Sequence, residues 1–287
     1  MRKYFIFFAL FFSFSIFSLA QAAEIVQIQP AKVRLVISPG SAQTGSLTVF
    51  NNDKQPKKVR AYLEDWKYLP VCDGTKDFQP AGTLSESAAG WISFVPAEFV
   101  VPAFGKQVVN YSVKVPSDAK SAHFAVIFFE SYLGESEAPP EGGVNVNVAV
   151  RVGSLFYIEP KGLVSRQAKI DGLKIERAQD RYNVSLNFTN TGNVDSPAKA
   201  SFFIIDRKGV AFARGESGEI YTLPGDSAPF SLYWKEQIPK GIYDLVLTFD
   251  IGKALRDANL GDVPPITKEA RIEIGDNGEV IRVGELK

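Results

Sequence analysis

Hydrophobic residues in this chain recur with a period of two almost everywhere, and that period limits the fold more than any single motif. Val33, Leu35 and Ile37 alternate with Arg34, Val36 and Ser38. Val109, Tyr111, Val113 and Val115 repeat the pattern, as do Tyr182, Val184, Leu186 and Phe188. Phe230, Leu232 and Trp234 form a further set, and Tyr243, Leu245, Leu247 and Phe249 another. Such alternation puts one set of side chains on each face of a sheet, the mark of half-buried antiparallel strands. Turn formers separate the sets at Pro39-Gly40, Asn51-Asn52-Asp53, Pro102 to Gly105, Thr191-Gly192-Asn193, Arg207-Lys208-Gly209 and Pro224-Gly225-Asp226. Short strands broken at this spacing predict an all-β chain built of sandwiches, without the crossovers of a parallel sheet. The one helix-like stretch is short, Lys253 to Asn259.

The series divides near Pro160-Lys161-Gly162, with strand candidates on both sides and a sandwich-sized block in each half. Ahead of them, Arg2 and Lys3 precede an apolar run from Tyr4 to Leu19 that only Ser13, Ser15 and Ser18 interrupt, and Ala20-Gln21-Ala22 follows. A charged start, a short apolar centre and a small-x-small exit read as a cleaved secretory signal. The run falls short of the ~20 residues of a typical membrane span. The expected organisation is a signal peptide at 1–22, two tandem immunoglobulin-like β-sandwiches at 23–160 and 161–275, and a C-terminal tail at 276–287 that adds one strand or frays. The mature chain is expected in the periplasm or secreted, with no insertion into a membrane.

Lys+Arg and Asp+Glu both number 32, so nothing in the charge balance points to nucleic acid. One Cys, one His and one Met leave little for metal, redox or His-dependent chemistry. Cys72 has no partner for an intramolecular disulfide and no ligand spacing around it. His123, in SAHFAVIFFE, stands at a strand entrance and reads as structural. No calcium loop, phosphate loop or Gly-x-Ser-x-Gly pattern occurs. The expectation is a binding protein without cofactor, metal or catalytic residues.

Four segments, in order, carry a family resemblance: VRLVISPGSAQTGSLTVFNND (33–53), KKVRAYLEDW (57–66), ISFVPAEFVVPAFGKQVVNYSV (92–113) and VNVNVAVRVGSLFYIEP (144–160). Together they resemble the N-terminal domain of periplasmic pilus chaperones of the PapD-like family. The second block resembles only generic immunoglobulin-like sandwich modules. In that family, two basic residues hold the C-terminal carboxylate of a pilin subunit. The resemblance places the arginine at Arg34 and the lysine at Ser154, a departure that removes half of the anchor. Arg151 substitutes only under a different strand register, because an odd shift changes the sheet face.

The resemblance also implies a donor strand. Val144, Val146, Val148, Val150 and Val152 alternate with Asn145, Asn147, Ala149, Arg151 and Gly153, which suits a strand that fills a partner's groove and equally suits an ordinary half-buried strand. The function so implied is an exported chaperone-like protein that binds an exported, pilin-like polypeptide by strand addition. The alternative is a non-catalytic structural or adhesive envelope module that has lost client capping.

Overall fold

The computed structural model describes residues 26–132 and 148–287. The expected signal peptide, and Val144 and Val146 of the valine ladder, lie outside the described residues. Among the described residues, ten strands form the first unit: β1 (Gln27–Gln29), β2 (Lys32–Ile37), β3 (Ala42–Phe50), β4 (Lys57–Tyr68), β5 (Lys76–Pro80), β6 (Ile92–Val95), β7 (Glu98–Val101), β8 (Lys106–Lys114), β9 (His123–Tyr132) and β10 (Ala149–Pro160). One sheet runs β1-β3-β8-β6, and the facing sheet runs β2-β10-β9-β4-β5 with β7 beside β4. Leu47, Val49, Val109 and Val113 from the first meet Ile127, Phe129, Phe156 and Ile158 from the second in one core.

The second unit comprises β11 (Ala168–Arg177), β12 (Tyr182–Asn190), β13 (Ser196–Ile205), β14 (Ala211–Thr222), β15 (Ser227–Trp234), β16 (Gly241–Asp250), a short helix α1 (Lys253–Asp257), β17 (Ile266–Ile274) and β18 (Val280–Val283). Its sheets run β11-β12-β15 and β14-β13-β16-β17-β18. Phe188, Phe230 and Phe249 fill the space between them, with centroids 5.5–6.5 Å apart. Tyr243 donates its hydroxyl to the Pro239 carbonyl at 2.8 Å, tying down the corner before β16. Part of the expected tail forms β18, which pairs with β17. The chain is thus two tandem immunoglobulin-like β-sandwiches.

Strand β9 departs from the period of two, and its position explains why. It lies between β10 and β4 with both faces covered. Ala125, Ile127 and Phe129 enter the core of the first sandwich, whereas Phe124, Val126 and Phe128 enter a separate cluster with Trp66, Tyr68, Tyr157 and Val194. A strand buried on both faces reads as a continuous apolar run.

That cluster joins the two sandwiches, since Val194, Tyr221 and Leu223 come from the second. Trp66 stands 5.1–5.3 Å from the rings of Tyr68, Phe124 and Tyr157 and donates its indole N–H to the Ala125 carbonyl at 3.1 Å. The β4–β5 turn reaches across, and Tyr221 N donates to Cys72 O at 2.9 Å. Gly74 in that turn has φ +91°, and a Cβ there would meet the Tyr221 ring at 3.0 Å, so glycine satisfies both the turn and the contact.

Phe129 is wholly buried in the first core. Phe129→Ala is expected to cost about 3–5 kcal/mol of stability, read as a lower urea midpoint.

Candidate functional site

Strand β10 is paired unequally along its length. From Ala149 to Ile158 it pairs with β9, antiparallel, but on its other flank β2 begins only at Leu155, opposite Lys32, and runs parallel to Pro160. The cause lies at the chain's start. β1 belongs to the opposite sheet, and the chain changes sheets through Pro30 and Ala31 before β2 begins. Residues 149–153 therefore have no second neighbour among the described residues.

The direction of the free groups follows from strand geometry. Leu155 N donates to Ala31 O at 3.0 Å, and Lys161 N donates to Ile37 O at 2.9 Å, so odd-numbered residues of β10 point their N–H and C=O toward the β2 flank. By alternation, the N–H and C=O of Ala149, Arg151 and Gly153 face the open flank, while those of Val150 and Val152 face β9. The side chains divide the same way. Val152 packs against the core with Phe156 and Ile158, Val150 is half-buried and Val148 is 52% exposed. The ladder thus emerges from the core as it approaches the open end. On the opposite face, the Arg151 guanidinium lies 4.2 Å from the Phe128 centroid and pairs with Glu64 at 2.7 Å.

Arg34 and Ser154 are not brought together. Arg34 pairs in register with Tyr157 on the face that meets the second sandwich, whereas Ser154 is on the core side and donates its hydroxyl to Pro30 O at 2.8 Å. The Arg34 side chain is only 2% exposed. It donates to Asp195 of the second sandwich at 2.5 and 2.8 Å and to Glu159, and its guanidinium lies 4.5 Å from the Tyr157 centroid. Arg166 completes the group by pairing with Glu159 at 2.7 Å. Burial opposes the charge on Arg34, but Asp195 and then Glu159, through charge and hydrogen bonds, raise its pKa above the ordinary guanidinium value. At the position where the resemblance places the client-carboxylate arginine, the guanidinium pairs with two carboxylates of this chain, Asp195 and Glu159.

Glu159, Asp195 and Arg166 escaped the reading of the sequence. Asp195 stands in a turn-like phrase, GNVDSP, and its role depends on a residue 161 positions away. One signal for Glu159 was present: a carboxylate between Ile158 and Pro160 at the end of an apolar strand is costly to bury unless a cation meets it.

The remaining singled-out residues have structural environments. Cys72 is buried, and burial, followed by Asp226 and Asp73, pushes its thiol pKa up, which disfavours the reactive thiolate. His123 stacks on Trp91 with centroids 4.0 Å apart, and its Nδ1 lies 3.0 Å from the Ser121 carbonyl. Among the described residues, no group of three or more His, Cys, Asp or Glu side chains is placed to hold a metal ion. No helix among them is long and apolar enough to cross a membrane.

Burial lowers the His123 pKa below its ordinary 6.5, against a smaller opposing pull from Ser121 and Glu86. The unfolded chain then binds more protons than the folded one as pH falls below 6.5, so His123 lowers stability in that direction until its folded pKa is passed. Urea midpoints measured between neutral and mildly acidic pH should decline, and His123→Gln should remove that part of the slope.

No protein-family model matches the chain, and no curated protein matches it. Among solved structures it is similar to a chain of the chaperone–tip adhesin complex of CFA/I fimbriae biogenesis, at 12% identity over 85% of this chain and 98% of that one, with a TM-score of 0.48. It is also similar to the class 5 fimbriae chaperone CfaA, at 13% identity over 85% of this chain and 98% of that one, TM-score 0.46. A third likeness is to the E. coli chaperone DraB, at 14% identity over 92% and 98%, TM-score 0.40. At these values the fold assignment rests on the strand ladders of the chain itself.

Proposed function

We propose that this chain is an exported, chaperone-like binding protein that performs no chemistry and holds an exported polypeptide, a pilus or surface-fibre subunit, by adding its strand to the open flank of β10. The observation that carries this reading is the half-paired strand itself: Ala149, Arg151 and Gly153 turn their backbone groups to a flank that no described strand occupies, beside valines that emerge from the core. A row of unpaired N–H and C=O groups is a template for another strand, and alternate side chains give it selectivity. The ordered resemblance of residues 33–160 to pilus chaperones supports the same reading, and with it a periplasmic setting.

The test starts from tagged protein purified out of the periplasm. Wild type should bring with it a small β-rich subunit in a fixed ratio. Val148→Asp should reduce that capture at least about tenfold, equivalent to about 1.4 kcal/mol. Its own stability should change by no more than about 0.5 kcal/mol, because the residue is 52% exposed. Arg151→Pro removes an N–H from the open flank, where a strand proline is tolerated, and should reduce capture likewise, at some cost in stability from the lost contacts with Phe128 and Glu64. A folded protein that brings no subunit is instead a structural or adhesive envelope module, and one that keeps its subunit in both variants does not hold it at this flank.

A further inference from the structure

The interdomain charge cluster bears on which polypeptides the open flank can accept. It contains two arginines, Arg34 and Arg166, and two carboxylates, Glu159 and Asp195. The side chains are 7% exposed at Arg166 and 0–2% exposed at the other three. The group is electrically balanced as it stands. A third carboxylate entering it would be an uncompensated charge in a dry site, at the cost that excludes such groups from interiors.

The path to the cluster is closed as well. A strand laid along Ala149–Gly153 runs into Ala31, whose carbonyl already takes the Leu155 N–H, and β2 occupies the flank from there onward. Arg34 lies three residues farther along β2, about 10 Å at strand rise. From its position within β2, Arg34 turns toward Tyr157 and the second sandwich, away from the open flank.

We propose that Arg34 is a positioning residue that fixes the two sandwiches together, and that client recognition is therefore blind to a free C-terminal carboxylate. The client offers an internal strand to the flank, read by its backbone and by the side chains that meet the valines. Naming a client rests on the strand-addition reading above; the closed cluster does not, and it can be tested on the protein alone.

The test removes one anion and asks whether a small carboxylate can replace it. Asp195→Gly leaves Arg34 buried beside a vacancy, so its melting temperature should fall by about 5–15 °C. Acetate, raised at constant ionic strength with chloride as control, should restore part of that loss in a saturable way. Wild type should gain nothing from acetate or from N-acetylvaline, a minimal free C-terminus. The Nε–H resonance of Arg34 should move with acetate in the variant and stay fixed in wild type. If Asp195→Gly does not fold, Asp195→Asn carries the same resonance and melting measurements. A saturable response of wild-type Arg34 to N-acetylvaline would overturn the proposal, as would an unchanged melting temperature in both Asp195 variants. Neither outcome touches strand capture at Val148, so the two readings fail separately.

Discussion

A strand inside a sheet needs hydrogen-bonding partners on both flanks, and among the described residues β10 has both only from Leu155 onward. The limit is set at the opposite end of the domain sequence. The chain passes from one sheet as β1 through Pro30 into the other sheet as β2, so among the described residues the flank beside residues 149–153 has no strand. Pro30 suits the crossing because it has no N–H to donate to either ladder. The same change of sheet produces the open flank and, a few residues later, delivers Arg34 to the junction between the sandwiches. The candidate binding edge and the interdomain contact thus share one cause.

At the junction, apolar and charged contacts serve different ends. Trp66, Tyr68, Phe124 and Tyr157 supply buried aromatic area, and edge-on and tilted contacts add to it. The four-member charge cluster is a weaker source of net stability, because removing two arginines and two carboxylates from water offsets much of their attraction. Its geometric demand is strong, since Asp195 has to face Arg34 through two hydrogen bonds. Planar, two-point pairing of this kind admits few relative orientations of the sandwiches. Asn193 reinforces them: its side chain donates to the carbonyls of Lys120 and Leu163, one in each flanking segment.

Much of the fold was legible because local alternation carries it. The sets at Val33–Ile37, Tyr182–Phe188 and Tyr243–Phe249 all became strands with one buried face. Strand β14 was harder to see, since AFARGESGEIYT is largely polar and only its pairing with β13 makes it a strand. The site was legible in part. The valine ladder showed which residues alternate, but the open flank depends on where β2 starts on the partner side, which the ladder does not encode. Arg34 was singled out from a family resemblance, yet its role is set by Glu159 and Asp195, 125 and 161 positions away. Ser154 continues the valine alternation and takes the core face, but only the pairing of Arg34 with Tyr157 shows that Arg34 lies on the opposite one.

Amide hydrogen exchange on residues 149–153 tests the central claim most directly. In the free protein, the amides of Val150 and Val152, which point to β9, should be protected, while those of Arg151 and Gly153 should exchange quickly. When a subunit is bound, Arg151 and Gly153 should slow to match their neighbours, because their N–H groups have gained a strand. Equal protection of all four amides in the free protein, or fast exchange at Arg151 and Gly153 with the subunit bound, would contradict strand addition at this flank.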